Sequence, residues 1–285
     1  MSQRAGANPD QGWRPKLVVL DLDGTVVPYY QERALPNQRV RDAVAATLAA
    51  GVPVTIATGR AVWSALPTAA DLGLHGIQLV CSNGAVVFDA DARQVRHEVT
   101  FDPTPAAQAL LSADVHLAFA VERGLSGFLH TADFHLDFPS KFFGVADLPE
   151  LLSQPTTRLV ARPSDGDTRG EEWHGAAARW AEELVASVLD PAKNSWETGY
   201  TGWIDVSGPN VNKATGAAML AADLGVDVAD VLAIGDGSND MPMLRWAGRS
   251  VAMGQAPDKV KAVADVVTAT VDEDGVAVEL ERWFG

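Results

Sequence analysis

The chain has 285 residues and 47% hydrophobic content, which is enough for one large domain or two smaller ones. Its 37 acidic residues outnumber 22 basic ones, and the net charge of −15 argues against sequence-independent binding to nucleic acid or anionic lipid. No stretch reaches the roughly 18 to 20 apolar residues that a membrane span needs. We therefore expect neither nucleic acid nor a membrane as a partner. The single cysteine, Cys81, excludes an internal disulfide and a cysteine-based zinc cage.

The N-terminal part of the chain combines a polar leader with an alternating pattern of strands and helices. Residues 1–15 lack the apolar segment of a secretory signal, so we predict a flexible leader and a cytoplasmic protein. Three apolar runs then predict buried strands, at residues 17–20, 52–57 and 77–81. Two amphipathic segments between them predict helices, at residues 37–50 and 61–72. This alternation is typical of a parallel sheet.

The same alternation resumes near Lys213, after a long stretch with a different pattern. The C-terminal part predicts a helix from Lys213, a strand at 231–235, and then a short strand among further helices. Between the two parts, the pattern predicts short strands at residues 117–121, 127–131 and 158–161. It predicts helices at residues 105–112 and 174–189. We therefore predict an α/β fold with a doubly wound, mostly parallel core (residues 1–85 and 208–285) and an inserted α+β domain (residues 86–207).

Polar residues follow four of the predicted parallel strands. Ligands of doubly wound sheets bind beyond the carboxyl ends of the strands, so these residues are candidates for one site. In strand order they are Asp21 and Asp23; Thr58, Gly59 and Arg60; Ser82, Asn83 and Gly84; and Asp236, Asn239 and Asp240. Lys213 begins the helix that precedes the fourth of these strands.

The two acids after the first strand point to a cation. Asp21 and Asp23 are two residues apart in an extended chain and can face the same side, where their mutual repulsion requires a positive charge. With Asp236 they form an all-oxygen set that suits Mg²⁺, whereas zinc would require histidine or cysteine. The alternatives are that the acids only cap turns and that Lys213 is an ordinary surface lysine.

Four motifs together resemble those of the haloacid dehalogenase superfamily of phosphohydrolases, and of its Cof-type subfamily. They are DLDGT (21–25), ATGR (57–60), SNGA (82–85) and GDGSNDMPML (235–244), with Lys213 in addition. The resemblance covers nearly all of the chain except the leader. It implies a Rossmann-like core, and it implies that the inserted domain is a type-two cap that selects the leaving group.

The resemblance also implies a magnesium-dependent phosphatase that works through an aspartyl-phosphate intermediate. In this pattern Asp21 is the nucleophile and a metal ligand. Asp23 protonates the leaving group, later serves as base for water, and contacts the metal through its backbone carbonyl. Asp236 is the third metal ligand, and Asp240 orients either water or Lys213. The phosphoryl group is bound by the backbone N–H of Leu22 and by Thr58, Gly59, Lys213 and Asn239.

Several alternatives stay open at this level. Arg60 either touches the substrate or pairs with an acid, and the role of Asn83 is equally open. The same intermediate would serve a phosphotransferase or a phosphomutase, and a non-enzymatic phospho-aspartate receiver module is a further alternative. The expected partner is a small phosphorylated metabolite, with sugar, polyol and cofactor phosphates all possible, and the sequence does not determine the oligomeric state.

Overall fold

The computed structural model describes residues 12–29, 35–136, 140–164, 171–199 and 201–285. The strands of this part are β1 (Leu17–Leu20), β2 (Val54–Ile56), β3 (Gln78–Cys81), β4 (Val86–Asp89), β5 (Gln94–Glu98), β6 (Leu117–Glu122), β7 (Phe128–His130), β8 (Phe142–Val145), β9 (Leu159–Pro163), β10 (Ser195–Thr198), β11 (Ile204–Ser207), β12 (Val231–Gly235), β13 (Arg249–Ala252) and β14 (Val266–Val267). Its helices are α1 (Gln38–Ala49), α2 (Val62–Asp71), α3 (Thr104–Ala113), α4 (Leu148–Leu151), α5 (Glu171–Val188), α6 (Lys213–Asp223), α7 (Met241–Trp246), α8 (Asp258–Lys261) and α9 (Gly275–Phe284). Across these described residues, no helix combines the length and the apolar composition that a membrane span needs.

The chain divides into two compact units. One contains the described residues up to His97 together with Asn212–Gly285, and the other contains Glu98–Val211. The first has a parallel sheet at its centre, and the second is built on a mixed, mainly antiparallel sheet with helices. The predicted fold class, a mostly parallel α/β core with an inserted α+β unit, is confirmed.

Five strands of the first unit form a parallel sheet in the order β14-β13-β12-β1-β2. β1 lies between β12 and β2 and pairs in parallel with both, and all four of its residues are buried. A strand covered on both faces must be apolar throughout, which explains the uninterrupted run of residues 17–20. Because the strands are parallel, the segments that follow β1, β2 and β12 all leave the sheet at the same edge.

An antiparallel sheet, β3-β4-β5, continues from the edge strand β2. A parallel bridge between Ala57 and Val80 connects the end of β2 to β3, and β3 pairs antiparallel with β4. This pairing keeps β4 with the first unit, so the compact unit extends to His97 rather than to residue 85, and its second segment begins at Asn212 rather than at 208. The sequence analysis missed the β3–β4 pairing, and the division of roles between core and cap stays a prediction.

The second unit contains a six-stranded sheet in the order β10-β11-β9-β6-β7-β8. One face carries alternate residues such as Phe119, Leu159 and Ile204, which form a buried core with residues of α3 and α5. The prediction missed β8 and α4, because four residues are too few for a periodic pattern.

The predicted leader is only partly described, since residues 1–11 lie outside the described residues. Trp13 lies within them, and its indole N–H donates to the carbonyl oxygen of Ala229 at 2.9 Å. Its ring also packs edge-on against Trp283, with ring centroids 5.0 Å apart. At Trp13 the chain is therefore already attached to the first unit, rather than part of a free leader.

Candidate active site

Three carboxylates come together at the carboxyl edge of the parallel sheet. The backbone N–H of Asp21 donates to the carbonyl oxygen of Ile234 at 3.0 Å, which continues the β1–β12 pairing and places Asp21 directly beyond β1. Asp236 follows β12, and Asp240 lies one short turn further along. Each of the three acids offers one carboxylate oxygen within 4.8 Å of the others, and all three are buried.

Lys213 is the cation in contact with this group in the described part of the chain. It begins α6, where the Asn212 side chain caps the helix by accepting the N–H groups of Ala214 and Thr215. Its Nζ lies 2.5 Å from Oδ1 of Asp21 and 2.5 Å from Oδ1 of Asp240. With an exposed fraction of 1%, it is not the surface lysine of the alternative interpretation. Burial lowers its pKa, but the two carboxylates raise it more, so the net pKa lies above its ordinary value and Lys213 stays charged.

The group carries more negative than positive charge. Burial, and next the charge of Asp240, raise the pKa of Asp21 well above its ordinary value, although Lys213 opposes the shift. Burial and Asp240 also raise the pKa of Asp236 to about 6. One lysine therefore does not neutralise the three acids. Buried carboxylate oxygens with unbalanced charge are the donors that a hard divalent cation prefers, so these residues fit magnesium.

Asp236 is held by three donors that the sequence analysis did not identify. The Thr25 hydroxyl donates to its Oδ1 at 3.1 Å, and the Tyr29 hydroxyl donates to its Oδ2 at 2.9 Å. Gln255 Nε2 donates to Oδ2 at 3.4 Å. Gln255 could have been found, because it follows β13, a further strand that ends at the same edge. Thr25 lies inside the DLDGT motif, whereas no signal in the sequence marks Tyr29.

Asp240 connects Lys213 to the loop after β12. Its Oδ1 accepts from Lys213, while its Oδ2 accepts the backbone N–H groups of Asp236 at 2.9 Å and Gly237 at 2.8 Å. Of the two partners predicted for Asp240, water or Lys213, the structure shows the contact with Lys213.

The Asp23 side chain is paired with Arg60 and is not a member of the buried carboxylate group. Arg60 Nε donates to Asp23 Oδ2 at 2.8 Å, and Arg60 Nη2 donates to Oδ1 of the same carboxylate. Of the two alternatives for Arg60, pairing with an acid is therefore the one observed. Both Asp23 oxygens are engaged in this pair.

The predicted phosphoryl-binding residues lie on neighbouring loops of the first unit. Thr58 is buried, and its hydroxyl oxygen accepts the backbone N–H of Arg60 at 3.1 Å. The Asn239 amide donates to Oδ1 of Asn83 at 3.2 Å. A Cβ built on Gly59 would lie 3.1 Å from that same oxygen, so Gly59 directly faces Asn83.

Leu22 lies inside the tight turn after β1. Its side chain is fully buried, and its carbonyl oxygen accepts the N–H groups of Thr25, Val26 and Val27. This turn holds the backbone between Asp21 and Asp23. The phosphoryl-binding role of the Leu22 N–H stays a prediction.

Comparison with known proteins finds similarity over most of the chain. The family model described as haloacid dehalogenase-like hydrolase matches residues 18–159 and 165–280. A 5-amino-6-(5-phospho-D-ribitylamino)uracil phosphatase from Bacillus subtilis is 29% identical, with coverage of 94% of this chain and 95% of the relative. A phosphoglycolate phosphatase from Methanothermobacter thermautotrophicus is 24% identical, with coverage of 95% and 99%.

Solved structures are also similar to this chain over most of its length. A phosphatase of the haloalkanoate enzyme superfamily from Bacteroides thetaiotaomicron is 28% identical to this chain and superposes with a TM-score of 0.75. The match covers 98% of each chain, so it includes both compact units.

Proposed function

Because the chain belongs to the haloacid dehalogenase-like hydrolase family, we propose that it is a magnesium-dependent phosphatase that hydrolyses a small phosphorylated metabolite through an aspartyl-phosphate intermediate. The resemblance inferred from the motifs is confirmed, and the chain is an enzyme, a phosphoric monoester hydrolase of the haloacid dehalogenase type. The non-enzymatic receiver module is not supported, since the matched family is a family of hydrolases.

The observation that carries the proposal is the buried contact between Asp21 and Lys213 beside Asp236 and Asp240. Lys213 holds one oxygen of Asp21 at 2.5 Å and so orients the carboxylate. The other carboxylate oxygen of Asp21 attacks phosphorus, and the bond from phosphorus to the leaving oxygen breaks as the bond from Asp21 to phosphorus forms. The Lys213 charge is then close to the negative charge that develops on the phosphoryl oxygens.

Asp23 provides the proton transfers in this proposal. It donates a proton to the leaving oxygen, and then takes a proton from the water that attacks phosphorus and releases inorganic phosphate and the Asp21 carboxylate. Since Arg60 engages both Asp23 oxygens, one of these two hydrogen bonds must open before Asp23 can donate.

Magnesium would be held by Asp21, Asp236 and the backbone carbonyl of Asp23. When bound, it supplies positive charge that offsets the excess of carboxylates and withdraws charge from the phosphoryl oxygens. Thr25, Tyr29 and Gln255 keep Asp236 in place for this role. The phosphoryl group is bound by the residues predicted from the sequence, namely the Leu22 N–H, Thr58, Gly59, Lys213 and Asn239.

The substrate class is a small phosphate monoester. The names of the relatives support this class, because they act on phosphorylated molecules as different as a ribitylaminouracil phosphate and phosphoglycolate. We also propose that the protein acts in the cytoplasm. A screen that includes both of these compounds, scored by kcat/KM, would identify the substrate.

The proposal is tested with p-nitrophenyl phosphate as a general substrate. We expect phosphate release with Mg²⁺, loss of release with EDTA, and loss with Asp21→Asn. Asp71→Asn is the matched control, because it makes the same change at an exposed position on α2. No release by the wild type, or full release by Asp21→Asn, would refute the proposed mechanism. Adding a sugar alcohol as acceptor distinguishes phosphoryl transfer, which would convert the alcohol into its phosphate ester.

A further inference from the structure

The turn between β3 and β4 has an unusual backbone. Ser82, Asn83 and Gly84 follow one another with φ angles of 51°, 53° and 96°. The left-handed region is unfavourable for residues other than glycine, although asparagine tolerates it better than most. Two successive residues with side chains therefore adopt a conformation that surrounding contacts must stabilise, and such backbone is concentrated at functional sites.

The backbone of this turn holds the loop after β2. The N–H of Ser82 donates to the carbonyl oxygen of Arg60 at 2.8 Å, and the N–H of Asn83 donates to the carbonyl oxygen of Thr58 at 3.0 Å. The N–H of Thr58 in turn donates to Val80 at 2.9 Å. The segment with Thr58 and Gly59 is thus fixed at both ends to β3 and its following turn.

The same turn lies directly against the start of α6. A Cβ built on Gly84 would collide with the carbonyl oxygen of Asn212 and would lie 3.2 Å from the N atom of Lys213. The α carbon of Gly84 also lies 2.9 Å from a Cβ built on Gly216. Only glycine allows this approach, so the position of Lys213 depends on the turn.

The Asn83 side chain makes the third connection, which is to the loop after β12. Its Oδ1 accepts from the Asn239 amide at 3.2 Å and faces Gly59. The left-handed backbone of Asn83 places the side-chain amide between these two residues. The turn therefore contacts three of the four segments that carry the proposed phosphoryl ligands, namely the loop after β2, the start of α6 and the loop after β12.

We propose that Asn83 is a positioning residue of the phosphoryl-binding site, which sets the orientation of the Asn239 amide relative to Gly59. This inference rests on the proposed function, because it assumes that Asn239 and Gly59 bind the phosphoryl group. Without the Asn83 amide, the Asn239 side chain loses the oxygen that accepts its hydrogen bond and samples other rotamers. The Asn239 amide is then no longer held in the orientation that binds the phosphoryl group.

The test uses Asn83→Gly, which removes the amide but keeps a residue that adopts the left-handed backbone freely. Arg93→Gly is the matched control, because Arg93 has a φ of 52° in an exposed turn after β4. In the Mg²⁺-loaded enzyme, Asn83→Gly should raise the Kd of inorganic phosphate about tenfold, the effect of one misplaced hydrogen bond. Arg93→Gly should leave this Kd unchanged. Isothermal titration calorimetry measures the Kd, and thermal unfolding shows whether both variants remain folded.

A double-mutant cycle with Asn239→Ala separates positioning from a general structural effect. If Asn83 acts through Asn239, then Asn83→Gly causes no further change in the Kd of phosphate in the Asn239→Ala background. An additive effect of the two substitutions overturns the inference, as does an Asn83→Gly variant with the wild-type Kd. If the wild type itself neither binds phosphate nor hydrolyses p-nitrophenyl phosphate, the proposed function fails and the inference fails with it. Wild-type activity combined with an additive cycle rejects the positioning role alone.

Discussion

Each compact unit contains a buried cation that contacts two carboxylates, but the two groups are built differently. In the first unit, the Lys213 cluster consists of Lys213, Asp21, Asp240 and the neighbouring Asp236. In the second unit, the Arg158 cluster consists of Arg158, Glu122 and Asp205. Arg158 donates twice to Oε2 of Glu122, at 3.0 Å and 2.9 Å, and once to Asp205 at 3.3 Å.

The two clusters differ in how well their acids are compensated. In the Arg158 cluster, Asp205 also accepts from the Trp203 indole at 2.8 Å, and the guanidinium lies 5.2 Å from the centre of the Phe128 ring. In the Lys213 cluster, a single ammonium serves three acids, and the pKa values of Asp21 and Asp236 are raised. A buried ion pair is therefore weak evidence for an active site. An excess of buried carboxylates over cations at the ends of parallel strands is much stronger evidence.

The largest expected difference between the clusters is in turnover. Lys213→Met should lower kcat for p-nitrophenyl phosphate about 10³-fold, because it removes the positive charge nearest the attacking carboxylate. Arg158→Met should destabilise the fold by about 3 to 5 kcal/mol, because it leaves Glu122 without its cation. It should leave kcat unchanged when kcat is expressed per folded molecule, with the folded fraction measured by near-UV circular dichroism. Equal losses of kcat per folded molecule would remove the functional distinction between the clusters.

The next largest difference is in the pH dependence of stability without metal. Because the folded pKa of Asp236 is about 6 and its ordinary value is 3.8, the folded state holds a proton that the unfolded state has already lost. Asp236 alone should therefore lower the free energy of unfolding by about 3 kcal/mol as the pH rises through this window. Asp21, whose pKa is also raised, adds to the fall.

Urea unfolding in EDTA at pH 4, 5, 6 and 7 measures this dependence. Asp236→Asn should make the fall smaller, with the remainder due to the raised pKa of Asp21, whereas Asp205→Asn in the Arg158 cluster should leave the fall unchanged. The raised pKa of Asp236 would be contradicted by an identical fall in wild type and Asp236→Asn.

Magnesium bound at the Lys213 cluster should stabilise the folded protein by slightly less than the pH-dependent contribution of Asp236. At a concentration 100 times its Kd, a ligand that binds only the folded state adds about 2.7 kcal/mol to the free energy of unfolding. Differential scanning calorimetry should show a higher Tm with Mg²⁺ for wild type and Asp205→Asn. Asp236→Asn should show a much smaller rise. An equal rise for all three proteins would place the magnesium site elsewhere.

The smallest effect is expected inside the Arg158 cluster. Asp205→Asn keeps an oxygen that can accept from Trp203 but loses the charge-assisted part of the bond from Arg158, which should cost about 1 to 2 kcal/mol. Urea unfolding measures this loss, and kcat for p-nitrophenyl phosphate should stay at its wild-type value. A large drop in kcat with intact stability would assign the Arg158 cluster a part in the reaction.

The sequence was most informative where local pattern and chemistry coincide. The apolar run of β1 predicted a buried parallel strand, and the structure shows one paired on both sides. The residues that follow the strands were predicted to form one site, and the side chains of Asp21, Asp236 and Asp240 do come together there. Lys213, at the start of α6, contacts two of them. The Asp23 carboxylate, which was expected to face the same pocket as Asp21, pairs with Arg60 instead. Meeting at one edge requires only that the strands be parallel, and the alternation of strands and helices along the chain already indicates parallel strands.

Short elements and contacts between distant side chains were not predictable. The hydrogen bond from Tyr29 to Asp236 joins residues 207 positions apart and corresponds to no motif. The β3–β4 pairing depends on two strands of four residues each, whose apolar pattern is compatible with several partners. The Arg158 cluster likewise depends on the register of antiparallel strands, which a single sequence leaves undetermined.

By itself, the sequence determined the fold class, the family and the residues at the strand ends, because each of these depends on the order of neighbouring residues along the chain. Only the tertiary structure decided which oxygen meets which donor. It paired Asp23 with Arg60, turned the Asn83 amide toward Asn239, and placed one lysine among three acids. The physical reason is that burial and hydrogen-bond geometry arise when segments far apart in sequence pack together, and the energies of the charged groups depend on that packing.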